Sequence, residues 1–302
     1  MEEFIKKAGT LIEALPYIRS FKGKIVVIKC GGSLMSEAKG GSFDPDIPIS
    51  QSPLIDIIFM QTVGMRPVVV HGGREAISKQ MEKAGIKPRF TAGLRVTDED
   101  TMKIVEETLL NRVNVEIVEA IERLGGRGEG ISARGVMRVT KHLPWVKGAN
   151  GERRQIDIGF VGDVESVDPV PIRDLCEAGV IPVIAPIGLG PDGHSYNVNA
   201  DIVAGEIAIA LQAEKLVFLT DVMGIMKDPE DPDSLISTLK IDSIEGMIGE
   251  GVILGGMIPK VKAALKAVQA GVHKTHIIDG RLPHSLLLEI FTDKGIGTQI
   301  VE

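Results

Sequence analysis

Cysteine is scarce in this sequence: Cys30 and Cys176 are the only two, and they form neither a CxxC pair nor part of a His/Cys cluster. The pattern argues against a disulfide framework and a zinc site, and it favours reduced thiols in the cytosol. Long apolar runs are also missing. None reaches the roughly eighteen residues of a membrane helix, and no basic start followed by an apolar segment opens the chain. We therefore expect a cytoplasmic protein without a membrane partner.

Blocks of basic residues are absent as well. The chain has 34 Lys and Arg against 41 Asp and Glu, a net charge of −7, so we expect no nucleic acid partner. The motifs GxxxxGK(S/T) and GxSxG and a Ser/His/Asp order are not found, which argues against a Walker-type NTPase and against a hydrolase. Any bound phosphate must be held by a local site.

Apolar strands and helical segments alternate along the 302 residues, of which 44% are hydrophobic. The segments KIVVIK (24–29), RPVVV (66–70) and KLVFLTDV (215–222) are examples of such strands. The alternation predicts an α/β fold with a mainly parallel sheet, whose strands end at one common edge. We predict a first lobe over residues 1–195 and a second over 196–302, which share the sheet.

Paired glycines follow two of these strands, after Lys29 and after His71. The glycines are Gly31, Gly32, Gly72 and Gly73. Glycine lets the backbone approach an anion closely, and the amides of a turn or helix start then point at it. We predict a phosphate site with Lys29 as its charged group, and we interpret His71 as a structural hydrogen-bonding residue.

Four polar residues further along the chain are also candidates. They are Arg95, Asn197, Asp201 and Lys260. Asn197 and Asp201 belong to a polar cluster before an Ala/Ile-rich helix, and that cluster exceeds what one helix cap requires. Lys260 stands in the first turn of a helix, where a cation opposes the helix dipole unless an anion binds there. The planar guanidinium of Arg95 suits a carboxylate.

Further predictions come from the remaining segments. Residues 4–18 form an amphipathic helix, covered either by the rest of the chain or by the same helix of another subunit. Residues 98–124 predict one helix of about 40 Å, along which a subunit interface is plausible. We expect one or two hairpins within 127–155, a strand over 156–164, and a loop over 36–53 that is either a lid or an inert insertion.

Phosphoryl transfer is the chemistry that these candidates fit best. Such a reaction needs two substrates held in line and the spread negative charge neutralised by lysines, backbone amides and Mg²⁺. An acidic residue between two lysines would orient them. Residue types alone do not identify the acceptor.

A family resemblance adds to this interpretation. The segments that carry it are VIKCGGSLM, VVVHGG, AGLRVTD, VIPVIAPIG, YNVNAD, LVFLTDVMGI, GGMIPKV and HIIDGRLPHSLLLEIF, in this order between residues 25 and 291. They resemble the acetylglutamate kinases of the amino acid kinase family. The resemblance implies an open three-layer αβα sandwich, with an N-terminal lobe for the acyl-amino acid and a C-terminal lobe for ATP. The implied reaction transfers the γ-phosphoryl of MgATP to the side-chain carboxylate of N-acetyl-L-glutamate in arginine biosynthesis.

The resemblance also implies roles for individual residues. Lys29 and Lys260 would stabilise the transferring phosphoryl group, and Asp201 would organise the two lysines. The implied ATP-binding residues are Lys29, Gly31, Gly32, Thr220, Asp221 and Lys260, and the implied substrate-binding residues are Gly72, Gly73, Arg95 and Asn197. The segment EALPYIRSFKGK (13–24) resembles the extra helix of hexameric members that arginine inhibits. A homo-oligomer, either a dimer or a hexamer, and feedback inhibition by arginine are therefore hypotheses.

The sequence departs from the family pattern at three places. Arg74 replaces the usual third glycine after His-Gly-Gly, so its amide can donate to a phosphate only if φ is negative there. The loop over 36–53 is longer than usual, and ISARG (131–135) replaces a glycine-rich turn. A kinase for N-acetyl-aminoadipate or for carrier-linked glutamate is one rival interpretation. A non-catalytic regulatory paralogue is another, although both lysines and the aspartate are retained.

Overall fold

An eight-stranded sheet runs through the centre of the computed structural model, which describes residues 2–31, 52–147, 151–228, 230–292 and 295–302. Gly32 and most of the predicted 36–53 loop lie outside these ranges. From one edge to the other, the strands are β14 (Thr238–Lys240), β16 (Thr298–Val301), β15 (Lys274–Asp279), β13 (Lys215–Thr220), β1 (Ile25–Cys30), β2 (Arg66–His71), β10 (Ile181–Ala185) and β5 (Gly128–Ser132). The six strands from β15 to β5 are parallel, and β16 and β14 run in the opposite direction.

Helices lie on both faces of this sheet. The described helices are α1 (Glu2–Phe21), α2 (Pro53–Thr62), α3 (Arg74–Lys83), α4 (Glu99–Thr108), α5 (Val115–Arg123), α6 (Val170–Glu177), α7 (Ala200–Leu211), α8 (Ile244–Gly249), α9 (Met257–Gln269) and α10 (Ser285–Ile290). None of the described helices is both long enough and apolar enough to cross a membrane. The predicted helix over 4–18 is confirmed as α1.

The alternation of side chains along the strands builds two cores. Val27 and Phe218 point to one face, where they pack with α7 and α9. Val26 and Ile28 point to the other face, where they pack with α2, α5 and α10. Successive strand residues face opposite sides, so an all-apolar strand is required between two helical layers. The predicted three-layer αβα sandwich is confirmed.

The predicted 98–124 helix is interrupted by a π-helical segment. The segment Leu109–Asn114 lies between α4 and α5, and it contains the buried residues Leu109, Val113 and Asn114. A π turn inserts an extra residue into the helical register, and such turns often occur at functional sites. Here it brings Asn114 to the sheet.

A second, four-stranded sheet contains β6 (Met137–Lys141), β9 (Gly162–Val167), β11 (Ile187–Leu189) and β12 (Ser195–Asn197). The predicted strand over 156–164 is wrong in its bounds, because β9 starts only at Gly162. Gly159 has φ +86°, and a Cβ there would collide with the carbonyl of Thr97. The backbone therefore turns at Gly159 instead of extending. Two small hairpins complete the described strands: β3 (Phe90–Thr91) with β4 (Leu94–Arg95), and β7 (Trp145–Lys147) with β8 (Arg153–Gln155).

Candidate active site

Three charged side chains from distant parts of the sequence meet beside the end of β1. Lys29 Nζ lies 2.9 Å from Asp201 Oδ1, and Lys260 Nζ donates a hydrogen bond of 2.7 Å to Asp201 Oδ2. Both contacts are ion pairs. The structure thus brings together the three residues predicted to be catalytic.

Local structure explains why these side chains converge. Lys29 follows Val27 by two residues, so it points to the same face of the sheet, toward α7 and α9. Asn199 caps α7 by accepting a hydrogen bond of 2.8 Å from the Asp201 amide, which places Asp201 in the first turn. Lys260 lies in the first turn of α9. Both helices therefore begin beside Lys29.

The electrostatics of this triad favour a bound anion. Burial raises the pKa of Asp201, but the ammonium groups of Lys29 and Lys260 outweigh it and hold the pKa below its usual range. Burial lowers the pKa of Lys260 more than its pairing with Asp201 raises it. Two ammonium groups and one carboxylate leave a net charge of +1. A buried site with this charge suits an anionic phosphoryl group.

The second glycine turn lies next to the triad, because β1 and β2 are paired and Lys29 is opposite Val70. The Gly72 amide donates to the Cys30 carbonyl at 3.0 Å, so that N–H is already used within the protein. A Cβ at Gly73 would collide with the end of the Leu109 side chain, so a larger residue there would require that side chain to move. The first glycine of the other turn, Gly31, directly follows β1.

Arg74 is the first residue of α3 and does not have a positive φ. Because φ is not positive, the backbone at Arg74 allows its amide to donate to a phosphate. The Arg74 guanidinium lies 4.4 Å from the centre of the Phe90 ring, and the Arg95 guanidinium lies 4.8 Å from the same centre. The Arg74 side chain thus stacks beside the predicted carboxylate-binding arginine.

Arg95 is buried, with 5% of its surface exposed. Its Nη2 donates to the Arg74 carbonyl at 2.9 Å and to Ser78 Oγ at 2.8 Å, and its Nη1 lies 3.0 Å from Met81 Sδ. These acceptors are all neutral. Burial and the nearby charge of Arg74 lower the pKa of Arg95 to about 10, so it still carries its charge at neutral pH. A buried cation with neutral partners is suited to a carboxylate ligand.

Asn197 is linked to the Arg95 region through a shared backbone segment. The Phe160 amide donates to the Thr97 carbonyl at 2.7 Å, and the Asn197 amide donates to the Phe160 carbonyl at 2.9 Å. Both Arg95 and Asn197 end strands that this segment connects. The two predicted substrate-binding residues therefore lie at the ends of two strands that are linked through Thr97 and Phe160.

Thr220 is the last residue of β13, which lies next to β1 in the sheet, and Asp221 follows it. The hydroxyl of Thr220 lies 2.8 Å from the Val222 carbonyl and 3.1 Å from the Ile278 carbonyl, whereas Asp221 is exposed. Thr220 thus shapes the loop after the strand. This loop and the triad occupy the same carboxyl edge of the parallel strands, where ligands of α/β proteins bind.

Divalent metal binding has little support from the protein alone. The described residues contain no group of three or more His, Cys, Asp or Glu that could hold an ion. Mg²⁺ that arrives with a nucleotide keeps phosphate oxygens and waters as ligands, so it does not require an all-protein cage. The described site is therefore compatible with MgATP.

His71 is buried behind the second glycine turn. Its Nδ1 lies 3.1 Å from the Gly72 carbonyl, and its Nε2 lies 3.0 Å from Asn114 Nδ2. Burial lowers the pKa of His71 from 6.5 to about 4, although the Gly72 hydrogen bond raises it. The ring is therefore neutral at physiological pH. Its interpretation as a structural hydrogen-bonding residue agrees with this geometry.

The low pKa of His71 predicts a loss of stability in mild acid. Because the unfolded chain binds the proton more tightly, the stabilisation is complete above pH 6.5 and decreases as the pH falls toward 4. The contribution is about 3 kcal/mol. We expect His71→Asn to have a smaller decrease in the free energy of unfolding between pH 7 and pH 4.5, measured by urea denaturation. Replacing the exposed His273 in the same way should leave the wild-type pH dependence in place.

The family assignment follows from comparison with known proteins. The model of the amino acid kinase family matches residues 24–279. The chain belongs to the amino acid kinase family. Within this family, it is 52% identical to an acetylglutamate kinase of Heliobacterium modesticaldum and 49% identical to one of Moorella thermoacetica. The alignments cover 100% of both chains in the first case and 98% of both in the second.

A solved amino acid kinase fold is also similar. The N-acetylglutamate synthase of Neisseria gonorrhoeae, solved with coenzyme A and N-acetyl-glutamate or with coenzyme A and L-arginine, is 26% identical, with TM-scores of 0.76 and 0.75. The match covers 98% and 97% of this chain but 63% and 65% of the synthase, so this chain spans about two thirds of that protein's length. The resemblance found in the sequence is confirmed at the level of the family.

Asn114 is the residue near the site that the sequence interpretation missed. Its Nδ2 donates to the Val183 carbonyl at 2.9 Å in addition to contacting His71. An asparagine directly after Val113, inside the apolar stripe of a long helix, was the available signal. This signal has a meaning only once the π turn is known, because the turn changes the face of the helix on which Asn114 lies.

Proposed function

We propose that this protein transfers the γ-phosphoryl group of ATP to the side-chain carboxylate of N-acetyl-L-glutamate and forms N-acetyl-L-glutamyl 5-phosphate in arginine biosynthesis. A carboxylate oxygen attacks the γ-phosphorus, and the bond to the oxygen bridging the β- and γ-phosphates breaks. ADP leaves with the electron pair. The single observation that carries the proposal is the buried Lys29–Asp201–Lys260 triad with its net positive charge. The acetylglutamate kinase names of full-length relatives support the choice of acceptor.

The triad would act on the transition state. Charge spreads over the oxygens of the transferring group during phosphoryl transfer, and fixed cations stabilise it without reorganisation. In this proposal, Lys29 and Lys260 bind those oxygens, and Asp201 keeps the two ammonium groups apart and oriented. Mg²⁺ would enter on the ATP phosphates and neutralise further charge.

The other predicted residues divide between the two substrates. We assign Arg95 to the α-carboxylate and Asn197 to the acetamido group of the acceptor. The loop at Thr220 and Asp221 and the turn at Gly31 are assigned to ATP. The division into lobes 1–195 and 196–302 stays part of this proposal. It agrees with the origin of β13 to β16, which all come from the second range.

Acyl-phosphate formation is the direct test. The purified chain is incubated with MgATP and N-acetyl-L-glutamate, and the product is trapped with hydroxylamine as a hydroxamate. We expect hydroxamate that depends on both substrates, and none with wild type would reject the kinase function. N-acetyl-aminoadipate, assayed in parallel, tests the rival acceptor. Turnover of neither acid, combined with binding of one of them, would favour a regulatory paralogue.

Feedback inhibition by arginine belongs to the same proposal, and a polar pocket supports it. The pocket lies at the amino ends of β13 and β15, and its lining includes Lys215, Lys274, His276 and Glu289. The Glu289 carboxylate suits a guanidinium, and the two lysines suit an α-carboxylate. The similar synthase solved with L-arginine favours arginine as the ligand. The triad lies beside the carboxyl end of β1, at the opposite edge of the parallel strands.

Glu289→Gln provides the test of this pocket. The side chain is 6% exposed and lies 2.6 Å from His276 Nδ1, so the amide retains most of the packing while it loses the charge. We expect arginine to inhibit the wild type, and the concentration for half inhibition to rise at least about tenfold in the variant, the cost of one lost charge pair. Kinase activity without arginine should be retained. Equal sensitivity of the two proteins would contradict the assignment.

The oligomer hypothesis rests on helix α1. Ile5 and Ile12 are 65% and 68% exposed, whereas Tyr17 and Phe21 near the end of the helix contact Phe291 and Lys215 of the same chain. We propose that the exposed stripe packs against α1 of another copy and builds a hexamer from dimers. Light scattering of the intact protein should give a hexamer, and a dimer alone would reject this arrangement.

A further inference from the structure

The two faces of β2 have different environments at the glycine turn. Val70 packs in the core shared with α7 and α9, on the side of Lys29. His71 points to the opposite face, where it is 0% exposed and contacts Asn114 of the π-helical segment. His71 is therefore behind the candidate active site, separated from the triad by the sheet, and it cannot act directly on a substrate.

The Val183 carbonyl determines which atoms donate in the contact between Asn114 and His71. The Val183 carbonyl can only accept, so the Asn114 side chain must present its Nδ2 group there, at 2.9 Å. The same Nδ2 lies 3.0 Å from His71 Nε2, which must therefore be the unprotonated acceptor. A neutral imidazole then carries its proton on Nδ1. That N–H donates to the Gly72 carbonyl at 3.1 Å.

Asn114 has little room to depart from this position. A Cβ on Gly130 of β5 would collide with Asn114 Oδ1, so the side chain fills the space that this glycine leaves. The π turn is what directs Asn114 toward β5 and β10. Three elements thus hold the amide: the helix that carries it, the Val183 carbonyl and the Gly130 backbone.

The consequence appears on the other side of the peptide bond. The carbonyl and N–H of a trans peptide point in opposite directions. Because the Gly72 carbonyl is held toward His71, the N–H of the same peptide, which belongs to Gly73, points away from His71. Gly73 precedes the first turn of α3, where backbone amides lack partners within the helix. The neighbouring Gly72 amide is already bonded to Cys30.

We propose that His71 and Asn114 are positioning residues that lock the Gly72–Gly73 peptide, so that the Gly73 amide donates to the phosphoryl group during transfer. This inference rests on the proposed kinase function. The two glycines then have different roles. The Gly72 amide bonds the turn to β1, and the Gly73 amide donates to the phosphoryl group. The histidine acts only through the orientation of this one peptide.

Two substitutions of His71 separate positioning from packing. In His71→Asn, the side-chain amide overlies the position of Nδ1 and can still donate to the Gly72 carbonyl. In His71→Gln, the amide reaches the position of Nε2, so the contact with Asn114 is kept and the Gly72 carbonyl loses its donor. Both variants replace a buried ring with a smaller amide, which makes them matched controls for the loss of packing.

The expected results differ in kcat. His71→Gln should lower kcat about tenfold to hundredfold, less than complete removal of a transition-state donor. Its KM values for MgATP and acetylglutamate should change less than threefold. His71→Asn should keep kcat within about threefold of wild type. A role limited to packing predicts equal losses in the two variants, so equal losses, or a fully active His71→Gln, would overturn the inference.

The tautomer gives a readout that does not depend on turnover. With ¹⁵N-labelled histidine, the NMR shifts of His71 should show a protonated Nδ1 and an unprotonated Nε2 from pH 5.5 to pH 8. A proton on Nε2 would overturn the inference even if the wild type is an active kinase. Conversely, a wild type that forms no acyl phosphate rejects the proposed function, while the NMR result still decides the hydrogen-bond arrangement.

Discussion

Lys260→Ala should lower kcat for acyl-phosphate formation about 100- to 1,000-fold, as removal of a fixed donor to transition-state charge does in other enzymes. The reason is the position of its ammonium group, 2.7 Å from Asp201 and beside Lys29. Alanine removes one of the two cations and leaves the triad neutral. KM for acetylglutamate should change little, because the interaction is strongest in the transition state. Hydroxamate formation at saturating substrates measures the effect.

Lys266 supplies a matched control on the same helix. Its ammonium group pairs with Glu206 of α7, so it joins the same two helices as Lys260 and Asp201 do. Lys266 is 61% exposed, however, and lies outside the triad. Lys266→Ala should keep kcat within about twofold, since exposed ion pairs contribute little. A Lys260→Ala protein with the wild-type rate would remove Lys260 from the catalytic group.

Asp201→Asn should lower both activity and stability. The amide has the same shape but leaves two ammonium groups close together, with side-chain exposures of only 9% for Lys29 and 19% for Lys260. Breaking a buried ion pair by removing one partner costs about 3 kcal/mol or more. We expect a loss of that size in the free energy of unfolding at pH 7 and a decrease of about 100-fold in kcat, because the lysines lose their orientation.

The pH dependence of this variant has a defined sign. Burial already lowers the pKa of Lys260, and removal of the carboxylate lowers it further. The unfolded chain then binds more protons near this site than the folded chain, so stability rises with pH until the unfolded lysine titrates. The difference in the free energy of unfolding between wild type and Asp201→Asn should therefore become smaller between pH 7 and pH 10. Glu206→Gln, which breaks the pair with the 61% exposed Lys266, should lose less than about 1 kcal/mol with no such trend. An Asp201→Asn protein as stable and as active as wild type would contradict the role of the carboxylate.

The position of the triad could be predicted from the sequence in part. Lys29 lies near the end of an apolar strand, and Asp201 lies in the first turn of a capped helix. Both patterns are clear in the sequence, so the positions of these two residues at one edge of the sheet were predictable. Their contact with Lys260 was suggested by the unfavourable place of a lysine at a helix start and by the family resemblance. The distances and the exposure of each side chain depend on packing between α7 and α9, which no local pattern specifies.

Other features could not be predicted for physical reasons. β5 consists of GEGIS, which has weak strand propensity, and it becomes a strand because β10 offers unpaired backbone groups beside it. The turn at Gly159 depends on contact with Thr97, which is 62 residues away in sequence (159 − 97). The π turn before Asn114 depends on the fit of the helix against the sheet. Each of these is decided by tertiary contacts rather than by propensity.

The wide sequence separation within the triad has a consequence for the newly made chain. Lys29 and Asp201 are 172 residues apart (201 − 29), and Asp201 and Lys260 are 59 apart. Contacts of this kind form late, because a long loop must close before they are gained. In a nascent or partly folded chain, Lys29 and Lys260 therefore do not yet contact the Asp201 carboxylate. Phosphoryl transfer therefore requires a chain in which β1, α7 and α9 have already come together.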